Sequence, residues 1–526
     1  MTSRNAPYWA IFAIVHLWTI WLSLNATGYP LGDVTAVYQP WAATALQGGA
    51  IMGITQPWVY PIAALLPMLP PMLLGVAGYP LGWLLLVTVL NAVAFAFLIG
   101  ENPNQARRRA GLWWMAFTVV LGPIVFGRVD SITVPMAIVG LLLLMRHPRA
   151  ATIVLSIATW MKIWPAAIIG GALLLLRERL QIFWVGLATS AAIVVLAIAI
   201  GGFPNVFSFI TEQTGRGIQI EAPVAVPYLW LAALGGPAEV YYDRGILTYQ
   251  VLGSGVDVLS AVMTPLLVVT VALIAFLALR ARRFGTPVLR ILPELVLALV
   301  LAMIVMNKVG SPQFMVWLIA PVVYGLVVSG RRFMFPAIAS LVLAALTHLF
   351  YPYNYGYVIG VETWAVLVLT LRNIGSIVLL VWAIRELWRA GAAERAAVPG
   401  LWATLLGPDE PAAPATRAPA ATVAEAPVVW DEEILNTVQE NVREELEAQS
   451  AGRGLGLDPA TTAALAASVT ANLRHSFEIR WAPRWTRTPP AAAAPPEDSP
   501  VPASSRAAGP LTNPVHLTTE EKGNPS

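Results

Sequence analysis

The chain has 526 residues, of which 57% are hydrophobic and only 12% charged, with a net charge of +3 and no cysteine. A soluble globular domain is about a quarter charged, so this composition excludes an ordinary soluble protein, and the absence of cysteine excludes disulfides, thiolate nucleophiles and Cys-ligated zinc. The small net charge says little about partners; its distribution along the chain says more.

Apolar runs of roughly 17–25 residues, enough to cross ~30 Å of hydrocarbon, recur from the N-terminus to about residue 390. The first, Tyr8 to Asn25, follows Arg4 and lacks a small-x-small cleavage site, so it is expected to stay as a first helix. Gly28 to Tyr60 is then a polar, aromatic and proline-rich interruption, with Asp33 its one acidic residue and no basic residue. Residues 61–77 are apolar again but hold Pro61, Pro67, Pro70 and Pro71, which break a helix. They are expected to form a re-entrant or interfacial segment covered by protein.

Arginine clusters set the expected orientation. They are Arg107-Arg108-Arg109, Arg146 with Arg149, Arg177 with Arg179, Arg280-Arg282-Arg283, Arg331-Arg332, and Arg385 with Arg389. The alternate connections 26–60, 127–131, 202–245, 307–313 and 351–361 are nearly free of positive charge and are expected outside. Helices that satisfy this alternation are 8–25, 80–99, 110–127, 131–146, 150–163, 164–177, 182–201, 256–280, 289–307, 313–329, 332–350 and 363–385. The pair 150–163 and 164–177 reads either as two broken helices meeting near Lys162 and Trp164 or as one helix kinked at Pro165. The expectation is an all-α polytopic membrane protein of about twelve transmembrane helices plus the re-entrant segment, with both termini cytoplasmic.

Composition changes after Arg389. Residues 391–427 and 484–526 are rich in Ala, Pro, Ser and Thr and cannot bury enough surface to offset the entropy of ordering. A mostly disordered cytoplasmic tail, 391–526, is expected after a membrane domain of 1–390, with short helices at about 431–449 and 459–479. Asp458-Pro459 supplies an N-cap and first-turn proline for the second of these.

Several polar residues could carry chemistry. Asp33 is either a general base at the membrane surface or the N-cap of a helix starting near Val34. Arg128 and Asp130 form either part of a site or a short polar turn in which Asp130 caps the next helix. Lys162 is flanked by apolar sequence, where a charge costs roughly 2.5–3.5 kcal/mol on insertion scales; it either faces a cavity or snorkels to the interface. Arg216 and Glu221, in Arg216-Gly217-Ile218-Gln219-Ile220-Glu221, either pair as a solvated loop or bind phosphate and a sugar hydroxyl, because guanidinium suits phosphate geometry. Lys308, in the turn Asn307 to Phe314 with Gln313, is a ligand or an interfacial anchor. His16 reads as a packing residue; His348, followed by Tyr351-Pro352-Tyr353-Asn354-Tyr355, is the better site candidate. The aromatics Trp41, Trp58, Tyr60, Tyr351 and Tyr353 form an interfacial belt or stack on sugar rings.

Four stretches together resemble the GT-C superfamily of membrane glycosyltransferases, and in particular glycosyltransferase family 87, the polyprenol-phosphate-mannose-dependent mannosyltransferases of actinobacterial cell envelopes. They are Gly32-Asp33 with Tyr38, Tyr60-Pro61, Lys162-Ile163-Trp164-Pro165, and Ser311-Pro312-Gln313-Phe314 with Trp317; the Arg216–Glu221 stretch also fits. The resemblance spans most of residues 8–385 and leaves the tail out. It implies a GT-C-like fold and a catalytic Asp in the first outer loop, which maps onto Asp33. It also implies transfer of a hexose, expected to be mannose, from a polyprenyl-phosphate-sugar donor to a lipid-linked or glycan acceptor on the outer face, with inversion. Substrate binding is expected at Tyr38, Tyr60, Arg128, Asp130, Lys162, Arg216, Gln219, Glu221, Lys308, Gln313 and His348. No second acidic residue lies between 28 and 60, which argues against a metal, and no cofactor is expected. Membrane lipids are expected partners and nucleic acid is not. The alternatives from other classes are a polytopic transporter or lipid flippase and a non-catalytic membrane assembly protein.

Overall fold

The structure, a computed structural model, describes residues 5–214, 216–246, 248–397, 439–440, 443, 458–464 and 466–468. The chain divides into two units, Met1–Asp409 and Glu410–Ser526. The first unit is built from α1 (Ala6–Asn25), α2 (Gln39–Leu46), α3 (Gly75–Ile99), α4 (Gln105–Leu121), α5 (Asp130–Leu143), α6 (Pro148–Met161), α7 (Ala166–Leu175) and α8 (Arg179–Ala199). It continues through α9 (Ser208–Thr214), α10 (Val226–Ala233), the strands β1 (Ala238–Asp243) and β2 (Thr248–Gly253), α11 (Val256–Arg283) and α12 (Val288–Val305). It closes with α13 (Ile319–Ser329), α14 (Met334–Phe350), α15 (Tyr355–Ile359) and α16 (Thr363–Ala397).

A helix lies at each of the twelve expected positions. Among the described residues, seven stretches are long and apolar enough to cross a membrane: 6–25, 62–99, 179–199, 256–283, 288–305, 312–350 and 363–392. The 39-residue stretch Pro312–Phe350 is not one rod. Phe333 packs on Gly325, eight residues away, which a straight helix would hold about 12 Å apart, so the chain turns back between α13 and α14. The ten residues of α7 extend about 15 Å, half the hydrocarbon thickness.

The proline-broken segment is folded onto α3. It runs as two 3-10 turns, Ile62–Met68 and Pro70–Leu74. Tyr79 Oη donates to Met68 O at 2.9 Å, and Gly82 lies against the Pro71 backbone. The reversal occurs at Gly75, whose φ of 71° is open to glycine at little cost. The second ambiguous region is resolved as two helices. Lys162 ends α6 with extended backbone, and α7 starts after Pro165.

Several polar side chains inside these helices find partners within their own helix, which hydrocarbon favours. Thr19, Thr118, Thr347 and Thr370 each donate to the carbonyl four residues back. His16 bonds Phe12 O and Asn91, which is the packing role expected of it. In α12 every residue from Ile291 to Ala302 is buried, as befits a helix surrounded by others.

The connections expected on one side do gather at one end of the array. Loop 26–60 meets 127–131 through Asp33 and Arg128, and 127–131 meets 351–361 through Arg128 and Tyr351. Gln219 N donates to Lys308 O at 3.0 Å, joining 202–245 to 307–313. The Arg-rich connections pair among themselves elsewhere: Asn5 Nδ2 donates to Gly100 O and Glu101 O, and Arg280 to Trp388 O. The β1–β2 hairpin, with Tyr241 opposite Gln250, was not foreshadowed by sequence.

In the second unit, Asp458 Oδ1 accepts from the backbone N–H of Ala460 and Thr461, so the N-cap read from the sequence is formed. Most of the helix expected at 431–449, and the segments 398–427 and 484–526, lie outside the described residues.

Gly310 is where the 307–313 and 202–245 connections touch: a Cβ there would overlap the backbone of Glu221 and Ala222. Gly310→Ala is expected to separate the 307–313 and 216–222 segments and to cost roughly 1–3 kcal/mol, the usual penalty of overpacking. Thermal unfolding of the detergent-solubilised protein measures this; an unchanged midpoint would show that the loops can part freely.

Candidate active site

Asp33 stands at the N-cap position of a π-helical turn, Val34–Tyr38, yet its side chain makes no cap bond. Its Oδ2 instead lies 2.9 Å from Arg128 Nε. π-turns recur at functional sites because they shift side-chain register; this one carries Tyr38 inward, fully buried, where its hydroxyl accepts from Val129 N at 3.3 Å. The 126–130 turn is anchored from behind by Trp83, whose Nε1 donates to Phe126 O at 2.7 Å. Arg128 also donates to Pro30 O, Gly127 O and Tyr351 Oη. Burial works against its charge, but Asp33, with Tyr351, Tyr38 and Tyr60 around it, more than offsets this and holds its pKa above the ordinary arginine value.

A second ion pair lies beside the first. Asp130 opens α5, but its carboxylate does not cap: Oδ1 accepts from Trp317 Nε1 at 2.6 Å and Oδ2 is 3.4 Å from Lys162 Nζ. Lys162 is freed from helical geometry by the α6–α7 break, so its side chain can turn inward. Its ammonium sits 4.7 Å from the centroid of the Tyr60 ring and 6.0 Å from that of Phe314, and Asp33 also lies within its electrostatic reach. Trp164 and Trp317 stack at 5.8 Å, and Trp164 Nε1 donates to Thr133 Oγ1 at 2.9 Å. The result is a rigid aromatic seat for the Asp130–Lys162 pair.

The two pairs have opposite polarity with respect to exposure. In the first, the carboxylate is the open member: Asp33 is 37% exposed and Arg128 9%. In the second, the ammonium is the open member: Lys162 is 17% exposed and Asp130 1%. Each pair therefore hides a counter-ion and presents its partner, leaving one accessible anion and one accessible cation joined by the Tyr38–Tyr60 edge-to-face contact at 6.4 Å. Trp41 and Trp58 extend this aromatic wall.

Arg216 and Lys308 form a further cationic group on the tied loops. Burial and the nearby Arg216 both lower the Lys308 ammonium from its ordinary range, and burial lowers Arg216, with Tyr60 acting the other way. Arg216 Nε donates to Glu212 O. Gln219 is buried beside Gln250. Gln313 is half-buried at the start of the 3-10 turn Pro312–Leu318.

Glu221 and His348 stand apart from the two ion pairs. Glu221 is buried, and its Oε1 accepts from Tyr355 Oη at 2.5 Å. Arg372 and Asn373 of α16 donate to its backbone carbonyl. His348 bonds Val120 O at 3.0 Å, and its Nε2 is 3.3 Å from Tyr353 Oη. Sequence reasoning did not single out Tyr355, Arg372 or Asn373 as site neighbours. A signal existed for Arg372: an arginine in the middle of an apolar 30-residue stretch is costly unless partnered.

An array of apolar helices, together with the family match below, is consistent with a membrane glycosyltransferase of the GT-C-like kind. Residues 58–306 match the family model of glycosyltransferase family 87, to which this stretch of the chain is similar. That stretch takes in Tyr60, Arg128, Asp130, Lys162, Arg216, Gln219 and Glu221, while Asp33, Tyr38, Lys308, Gln313 and His348 lie outside it. No curated protein gives a match to this chain.

Asp130→Ala leaves the partly buried Lys162 ammonium without its carboxylate and is expected to destabilise the protein, by up to roughly 3–5 kcal/mol, whereas replacing both residues by apolar ones recovers most of that loss. Unfolding midpoints of the single and double variants decide it; equal losses would mean that the pair is not the relevant unit. Glu221 gives a pH test. Burial raises its carboxyl pKa, and the Tyr355 hydrogen bond opposes this only in part. A folded-state pKa above the unfolded value gives stability that is full below the unfolded pKa, about 4.3, and is lost as pH rises through the folded value. Glu221→Gln keeps an oxygen acceptor for Tyr355 and is expected to flatten the fall in unfolding midpoint above about pH 4.5. An undiminished slope would assign it to another group.

Proposed function

We propose that the protein transfers a hexose, mannose being the first choice, from a polyprenyl-phosphate-sugar donor to a lipid-linked or glycan acceptor, with inversion. The family match supports glycosyl transfer; the donor class and the roles below are our reading. Asp33 is the general base that removes the proton of the acceptor hydroxyl. The observation that carries this is the Asp33–Arg128 pair: a carboxylate 2.9 Å from a buried guanidinium, with more than a third of its side chain open. The deprotonated oxygen attacks the anomeric carbon and the C–O bond to polyprenyl phosphate breaks, leaving the phosphate with the bonding pair. That developing charge needs preorganised cations, which Lys308, Arg216 and Lys162 supply. Tyr38 and Tyr60 lie between the two pairs, Gln219 and Gln313 on the connections beside them, and Glu221 and His348 act from farther out through Tyr355 and Tyr353.

On the positive-inside rule we read the Arg-rich connections as cytoplasmic, the site as facing the outer side of the cell membrane, and both termini as cytoplasmic. A lipid donor suits such a site, because its chain can reach in between helices while its headgroup meets the loops.

Asp33→Asn, in purified protein with radiolabelled polyprenyl-phosphate mannose, is expected to lower transfer by roughly 10²–10⁴-fold, the usual contribution of a positioned base, with the fold retained. Wild-type turnover by this variant would remove the base assignment. Failure of the unmodified protein to use any polyprenyl-phosphate sugar would remove the donor assignment.

A further inference from the structure

Lys162 has two kinds of partner. Asp130 supplies the opposite charge, with Oδ2 3.4 Å from Nζ. Two rings supply the rest: Nζ lies over Tyr60, 4.7 Å from the ring centroid, and 6.0 Å from that of Phe314. Both distances are within the ~6 Å at which a ring face attracts an ammonium. Neither ring is loosely placed. Phe314 is buried and stacks on Trp317 at 4.2 Å, and the Trp317 indole N–H is the donor to Asp130. One tryptophan therefore fixes the carboxylate and one of the rings together. Tyr60 is wedged edge-to-face among Tyr38, Trp41 and Trp58, at 6.4, 6.4 and 5.5 Å. Its ring is thus engaged within the protein, on Lys162, instead of standing free as a platform for a sugar.

The two kinds of partner act differently on a substrate. A nearby carboxylate cancels much of an ammonium's field at longer range. An aromatic ring carries a quadrupole and no net charge, so it holds the ammonium and leaves its charge whole. We propose that Tyr60 is a positioning residue for the transfer reaction: its ring face, with Phe314 as the second wall, shares the Lys162 ammonium with Asp130 and keeps its charge available to the departing phosphate. This rests on the reading of Lys162 as a cation that serves the phosphate. A lysine stem is flexible, and without the ring the ammonium settles wholly on Asp130 and the pair acts as a neutral unit. The Asp130 contact, at 3.4 Å, is longer than the ~2.7–2.9 Å of a tight charge-assisted hydrogen bond, which suits an ammonium shared between carboxylate and rings.

The test uses full-length protein in detergent with a polyprenyl-phosphate mannose donor. Tyr60→Phe and Tyr60→Leu both lack the hydroxyl, so the difference between them reports the ring alone. Tyr60→Leu is expected to have a kcat roughly five- to thirtyfold below that of Tyr60→Phe, the scale of one cation–π contact out of water. KM for the donor is expected to agree within about twofold, as when an interaction specific to the transition state is lost. Phenylalanines carrying one, two and three ring fluorines at position 60 weaken the negative ring face stepwise and nearly keep its shape. With each fluorine kcat is expected to fall, while the unfolding midpoint stays level. In a Lys162→Met background the difference between Tyr60→Phe and Tyr60→Leu is expected to vanish, the mark of two residues acting as one unit. If that background turns over too slowly to compare, the fluorine series decides alone. A kcat unmoved by fluorination, or equal in Tyr60→Phe and Tyr60→Leu, overturns the positioning role; the reading of Lys162 then stands as long as Lys162→Met is impaired. If Lys162→Met turns over normally, both fall. A loss that recurs in full in the Lys162→Met background assigns the ring to packing and also overturns the proposal.

Discussion

The cost of burying Arg128 and Asp130 is the constraint on which the rest of the site depends. An ion taken out of water is tolerated only with a partner and further hydrogen bonds in good geometry. Arg128 meets this need with Asp33, two backbone carbonyls and Tyr351. Asp130 meets it with Lys162 and Trp317. These partners come from separate parts of the chain, so satisfying two buried charges draws the 26–60, 127–131 and 351–361 loops, the Pro312–Leu318 turn and the α6–α7 break to one place. The aromatic wall of Tyr38, Tyr60, Trp164 and Trp317 then fills the space between them and limits water.

The local backbone serves the same end. A regular helix directs side chains at fixed angles, and the residues that matter here sit where the helix is interrupted: Asp33 before a π-turn, Lys162 at an extended C-cap, Trp317 in a 3-10 turn. Proline and glycine supply the interruptions at Pro165, Pro312 and Gly75. In a membrane protein such breaks are sustainable only where protein or side chains satisfy the freed backbone groups, and here the Trp83–Phe126 and Gln219–Lys308 bonds do so.

Helix positions were legible because apolar length and Arg asymmetry are properties of composition along the chain. The sharing of one end by five connections followed from the same charge pattern. Pairings were less legible. Asp130 and Lys162 are 32 residues apart in sequence, and nothing in either neighbourhood specifies the other; nor does spacing reveal that Asp33 pairs with Arg128 when it could have capped a helix. The β-hairpin was missed because Ala238–Gly253 lies in a loop whose alternation is weak, with burial irregular along both strands. Arg372 and Glu294 were passed over because the surrounding runs are apolar enough to read as helices whatever they contain.

The opposite polarity of the two pairs fits the charge flow of the proposed transfer. As the acceptor loses its proton, negative charge leaves Asp33 and reappears on the departing phosphate. A site holding only cations would bind the donor phosphate strongly before reaction and gain less as charge develops, because only interactions that strengthen towards the transition state raise the rate. Here Asp130 moderates Lys162 and Arg128 moderates Asp33, so the resting site is close to neutral at its centre. In the proposed mechanism, protonation of Asp33 removes an accessible negative charge that acts on Lys162, and the field of that ammonium towards the leaving group grows as the phosphate needs it, without any group having to move.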